Sequence, residues 1–238
     1  MHAEFNTDAI EPIGCAKEAW AVIRPDYWLA FAITLVGMLV GGVTMYILLG
    51  AMMCGIFYAL LRKMDGGELA LDDVWKGLEF FWPGLVVTLV IVVPMVLVCA
   101  LIYVPIALAI VTGPRLSEDE LIAMIVGAAV VDLIVIVVMV CLHTLLIFSF
   151  PLIVDRRLGA VRSITTSARA VLKNLGGVVG LILVNMGLTF AGLLLCGVGV
   201  YLAMPLMLAT NVVAYRKVFP RLDTGSDLPP PPNAYRGL

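Results

Sequence analysis

Charge is the first thing this chain is short of. Asp, Glu, Lys and Arg make up 13% of its 238 residues, about half the roughly 25% of an ordinary soluble domain. Hydrophobic residues reach 62%, well above the roughly 45–50% of such a domain. Together these departures exclude a water-soluble globular fold and require a protein whose solvent is lipid. Histidine is nearly missing as well, with only His2 and His143 present. Without paired imidazoles no metal centre is expected. The five cysteines, Cys15, Cys54, Cys99, Cys141 and Cys196, form no CxxC pair and no disulfide framework. They read as small apolar packing residues.

Enzyme signatures are missing too. The chain has no HExxH, GxSxG or Walker loop, and Gly197-Val198-Gly199 leads into no phosphate-binding pattern. The expectation is a non-enzymatic protein without cofactor, and nothing in the sequence suggests nucleic acid as a partner. Glu4, Asp8, Glu11, Glu18 and Asp26 interrupt the first 26 residues, so a cleavable signal peptide is not expected there and the first span drives insertion.

What the chain has in abundance is long apolar runs. A spanning helix needs about 20 such residues, because the hydrocarbon core is about 30 Å thick and a helix rises about 1.5 Å per residue. Residues 27–61 are too many for one span and suggest a hairpin broken near Gly41-Gly42. Residues 81–111 suggest one helix, kinked by Pro94 and Pro105. Residues 121–154 follow an acidic loop, Glu118-Asp119-Glu120, and suggest one long or tilted helix. Residues 176–218 suggest a second hairpin that turns at Gly197-Val198-Gly199. The expected fold is therefore all-α and polytopic, with six transmembrane helices over residues 27–218. A cytoplasmic segment, 1–26, would precede them, and a Pro-rich disordered tail, 219–238, would follow.

Six spans can be checked against the cations, which are retained in the cytoplasm. Lys17, Arg24, Arg62, Lys63, Lys76, Arg156, Arg157, Arg162, Arg169, Lys173, Arg216, Lys217, Arg221 and Arg236 fall on one side, and only Arg115 falls opposite. Five or seven spans would spoil that segregation. Both termini are expected inside.

Three segments on the cytoplasmic side are amphipathic at helical spacing, each ahead of an apolar block. Residues 10–23 group Ile13, Ala16, Trp20 and Ile23; residues 71–82 group Leu71, Val74, Trp75, Leu78 and Phe81 against Asp72, Lys76 and Glu79. Residues 158–172 set Val161, Thr165, Ala168 and Leu172 against Arg162, Arg169 and Lys173. Such helices lie in the membrane interface. Their recurrence suggests a three-fold repeat of interfacial helix plus two spans.

Ionisable groups inside a membrane are expensive, about 2.5–3.5 kcal/mol on insertion scales. Asp132 and His143 lie eleven residues apart in the fourth expected span, and Asn185 and Asn211 are the strong polar groups of the last two. They line a proton or ion path, or they make hydrogen bonds between helices. Gly37-xxx-Gly41, Ala51-xxx-Gly55, Gly176-xxx-Gly180 and Gly187-xxx-Ala191 have the spacing of close helix contacts. The basic cluster Arg156, Arg157, Arg162, Arg169 and Lys173 is a topology determinant, or a contact for anionic headgroups worth about 1 kcal/mol per charge.

Phe148-Ser149-Phe150-Pro151-Leu152-Ile153-Val154-Asp155, the amphipathic run with Ser167, and the final hairpin ending Ala214-Tyr215-Arg216 resemble one group of proteins. These are the YciC-like family of bacterial multi-pass proteins and the membrane domain attached to some glycerophosphodiester phosphodiesterases. The resemblance implies six helices in a bacterial inner membrane and brings no established reaction. The expected function is a lipid-interacting or scaffolding membrane protein, with a small transporter or channel subunit at Asp132 and His143 as the alternative. Expected partners are membrane lipids, anionic ones in particular, and a protein partner or second copy.

Overall fold

The computed structural model describes residues 5–7, 9–112, 117–195 and 197–221, and among them every regular element is helical. In chain order these are α1 (Pro12–Ile23), a short 3-10 turn (Arg24–Asp26), α2 (Tyr27–Val43), α3 (Leu49–Met64) and a 3-10 helix (Leu71–Phe80). Then come α4 (Phe81–Thr112), α5 (Glu118–Leu145), α6 (Ser149–Arg156), α7 (Ala160–Lys173), α8 (Leu175–Leu194) and α9 (Val198–Val218). Five helical stretches are long and apolar enough to cross a membrane: Pro12–Val43, Leu71–Val104, Ile122–Arg156, Leu175–Leu194 and Val198–Val218. These are the lengths and compositions of a membrane protein.

The expected second span, α3, is not among the five. Its 16 residues reach about 24 Å, short of the roughly 30 Å of hydrocarbon. It is instead the centre of the fold. Ala51, Met52, Cys54, Ile56, Phe57, Ala59 and Leu60 are all buried, enclosed by α2, the 3-10 helix, α4, α6 and α9. The enclosure is tightest where side chains are missing. A Cβ on Gly55 would stand 2.0 Å from the carbonyl oxygen of Val74, and one on Gly77 would stand 2.0 Å from that of Ala51.

The first turn falls later than Gly41-Gly42. Helix α2 runs through both glycines, and the reversal uses Met45 and Tyr46, whose φ angles of 49° and 68° are left-handed. Gly41 is occupied with packing, since a Cβ there would meet Leu49 at 2.7 Å. The expected single helix over 121–154 is also divided, into α5 and α6. Ser167 of α7 is inserted at the break: its hydroxyl donates to the carbonyl of Leu145 at 2.7 Å and accepts from the N–H of Phe148 at 3.2 Å. Pro151 explains why an unbroken helix is unavailable, because it has no N–H to give to the carbonyl four residues back. At its other end α5 starts at a capping box. Ser117 and Glu120 bond each other's backbone N–H groups at 3.3 and 2.9 Å, which holds the Glu120 carboxyl below the usual range.

The amphipathic segments form helices, but their large apolar faces point outward. Helix α1 buries Cys15, Ala19 and Ile23 and exposes Ile13 and Trp20; α7 buries Ser163, Ser167, Ala170 and Val171 and exposes Val161 and Leu172. The 3-10 helix likewise buries Val74 and exposes Leu71, Trp75 and Leu78. In lipid the bulky apolar stripe has no reason to turn inward, and small residues make the closer protein contact.

Ion pairs gather one end of the bundle. Lys63 meets Asp26, Lys217 meets Glu18, Arg157 meets Glu79, and Arg216 bridges Asp65 and Asp155. Asn174, at the start of α8, reaches the carbonyl of Asn6, which in turn bonds the end of α9. The chain therefore leaves this end and returns to it three times. The N-terminal segment is part of the same body, since Phe5 meets the buried Phe219 edge-on. Arg115, Cys196 and the tail from 222 to 238, with Arg236, lie outside the described residues.

Candidate functional site

Helix α7 follows an extended Gly159 and lies across the end of the bundle where the ion pairs gather, against α6, α4 and α5. Arg162, Thr165, Thr166 and Arg169 recur at i, i+3, i+4 and i+7, the spacing of one helical face. With Arg156 and Leu158 they line a groove of about 490 Å³. Arg156 is held there from behind. Its Nη2 donates to the carbonyl of Pro220 at 3.2 Å, its guanidinium lies 5.3 Å from the centre of the Phe219 ring, and its Nε has no hydrogen-bond partner. Arg162 and Arg169 make no ion pair among the described residues, and no carboxylate lines the groove.

Three guanidinium groups around an open groove suit an oxyanion, because each can present two parallel N–H donors to a phosphate. The other two cations of the expected cluster point elsewhere. Arg157 lies 3.8 Å from Glu79 and 5.7 Å from the Phe80 ring centre, and Lys173 lies over Phe5.

The four intramembrane polar candidates are not brought to one place. Asp132 accepts a hydrogen bond from the hydroxyl of Tyr103 on α4 at 2.8 Å. Asn185 donates to Asn211 at 3.1 Å, which ties α8 to α9. His143 is exposed on α5, whose helix neighbours are α4 and α7. These contacts have the form of hydrogen bonds between helices and do not make a continuous path.

A second polar cluster went unrecognised in the sequence. Arg216 is 2.8 Å from both Asp65 and Asp155, Arg221 is 3.3 Å from Asp65, and Tyr215 donates to Asp155 at 2.7 Å. Asp65, Asp155, Arg216 and Arg221, with Tyr58 and Arg62, line a cavity of about 370 Å³. Both of its acids are engaged by arginines, as expected of a clamp between α3, α6 and α9. The signal available was an acid inside each basic flank, Asp65 after Arg62-Lys63 and Asp155 before Arg156-Arg157. Thr165 and Thr166 also escaped notice as groove residues, since threonine reads as part of the apolar face.

No metal-binding group of three or more His, Cys, Asp or Glu residues exists among the described residues. No family model matches the chain, and neither a curated protein nor a solved structure is significantly similar to it. A functional reading therefore rests on the geometry.

Proposed function

We propose that this chain is a non-enzymatic protein of the bacterial inner membrane that binds anionic lipid headgroups at its cytoplasmic face through α7. The observation that carries the reading is the groove of Arg156, Arg162 and Arg169, open and without an acid among the described residues, on a helix whose exposed apolar residues suit the membrane interface. Six crossings with both termini inside fit the three returns of the chain to its ion-paired end. Helix α3 is the sixth crossing. Enclosed by protein on every side, it need not match the bilayer in length, and the turn 44–48 extends it. A short helix precedes two longer ones three times along the chain, with α6 added after α5 in the middle unit, and this order supports a repeat. The YciC-like resemblance fits the same architecture. Transport along Asp132 and His143 is not adopted, because Asp132, Asn185 and Asn211 are engaged in separate interhelical bonds.

Native mass spectrometry of the gently solubilised protein tests the proposal. Wild type should retain anionic phospholipid, Arg162→Gln/Arg169→Gln should lose it, and Arg157→Gln/Lys173→Gln should keep it. Equal retention in both double variants would assign the lipid to general charge attraction and sink the groove. A wild type that retains no lipid would do the same.

A further inference from the structure

Beyond the groove, the last turn of α7 borders a separate space of opposite character, lined by Val171 and Leu172 where the groove is lined by Arg162 and Arg169. Leu172 lies seven residues after Thr165, two turns along the same face and about 10.5 Å away. There it lines a cleft of about 420 Å³ between α5, α7 and α8. Helix α5 supplies Val140, Cys141 and Leu145, and α8 supplies Val179 and Leu183. The one hydroxyl in the lining, that of Thr144, is engaged with the carbonyl of Val140 at 2.6 Å. Water in such a space would find no partners, and leaving it empty would forfeit the dispersion contacts of its walls. In a bilayer the filling at hand is an acyl chain. Along α8 the cleft runs from Leu175 to Leu183, about 12 Å of helix.

We propose that a single anionic glycerophospholipid occupies both spaces, its phosphate between Arg162 and Arg169 and one acyl chain in the cleft. This rests on the headgroup reading and goes beyond it. A chain moving from bulk lipid into the cleft gains little hydrophobic free energy, since lipid tails are as apolar as leucine. The cleft by itself therefore does not discriminate between lipids. Selectivity comes from the arginines, and the cleft decides where the selected lipid's tail lies. The consequence is specific: the chain in the cleft belongs to an anionic lipid even where zwitterionic lipid is in excess.

A tryptophan at the rim reports on that chain. Leu183 is 62% exposed, so Leu183→Trp leaves the cleft unfilled, and Leu194→Trp, at the far end of α8, serves as control. Each variant is placed in phosphatidylcholine vesicles with a small, equal fraction of acyl-brominated phosphatidylglycerol or acyl-brominated phosphatidylcholine. Quenching is read above the wild-type background. At the Leu183 reporter the anionic quencher should be at least threefold more effective, with no preference at the Leu194 reporter. Adding Arg162→Gln/Arg169→Gln should abolish the preference while circular dichroism stays unchanged. Equal quenching by both lipids at Leu183, with headgroup retention intact by mass spectrometry, would overturn this inference and spare the headgroup site. A preference that survives the arginine changes would overturn it as well. Inorganic phosphate that displaces the retained lipid without reducing quenching at Leu183 would show that headgroup and chain belong to different molecules.

Discussion

Ser167 joins three helices with one hydroxyl, bonded to the carbonyl that ends α5 and the N–H that precedes α6. Removing it leaves the buried N–H of Phe148 and the partly buried carbonyl of Leu145 unpaired, which costs about 1–3 kcal/mol. Ser163, one turn earlier and equally buried, bonds only the carbonyl of Ala160 in its own helix. Ser167→Ala should therefore lower the unfolding midpoint in detergent clearly, while Ser163→Ala changes it little. Asp73 offers a second case. It is 1% exposed and takes Arg62 at 3.0 and 3.1 Å, Lys76 at 3.1 Å and the N–H of Ala70. Asp73→Ala should destabilise by about 3 kcal/mol, the low end for a broken buried pair, because Arg62 is 41% exposed. A loss below about 1 kcal/mol in the same assay would mean the pair is solvated. Asp73 was not legible in the sequence. It stands between Asp72 and Val74, in neither the apolar nor the polar set of that segment, and only the tertiary placement of Arg62 distinguishes it from Asp72.

At the scale of elements, glycines that look alike in sequence have different duties. Gly55 lies where α3 meets the 3-10 helix, with the carbonyl of Val74 in the position a Cβ would take, whereas nothing lies within 4 Å of the same point at Gly176. Gly55→Ala must push two backbones apart and should cost about 1–3 kcal/mol or more. Gly176→Ala should be neutral or raise stability by about 0.4–1 kcal/mol through the unfolded chain. Equal unfolding midpoints for the two variants would contradict the packing of α3. Both glycines fall in small-xxx-small pairs, so the spacing marked both alike, and the structure has the close contact at Gly55 only. The existence of the elements was largely legible, because apolar run length and capping residues are local signals. Gly197, at φ 79°, marks the last hairpin, whereas Glu118-Asp119-Glu120, expected as an acidic loop, is the first turn of α5 because Ser117 caps it. The division of α5 from α6 and the outward apolar faces of α1 and α7 were not. Both depend on what surrounds the helix, a serine from another element in one case and lipid in the other.

For the whole molecule, the decisive quantity is how often the chain crosses. Run length alone counts five candidate helices, and an odd number would put the two ends of the chain on opposite faces. The ion pairs oppose that outcome. Lys63, at the end of α3, contacts Asp26 at the start of α2, so the two helices leave and return to one side, as the proposed sixth crossing by the 16-residue α3 requires. The candidate groove was legible as charge, in the spacing of Arg162 and Arg169, but the lack of an acid in its lining among the described residues and the support from Arg156 needed the fold. Topology follows as a measurable consequence. Single cysteines can be introduced in a cysteine-free background and labelled with a membrane-impermeant thiol reagent in intact cells. Ser117→Cys, ahead of α5, should label from outside, whereas Asp72→Cys and Arg221→Cys should label only after permeabilisation. If α3 failed to cross, Asp72→Cys would share the face of α2's far end and label in intact cells. The Lys63–Asp26 contact could not then form, and the arginine groove of α7 would lose its assigned place at the cytoplasmic headgroups.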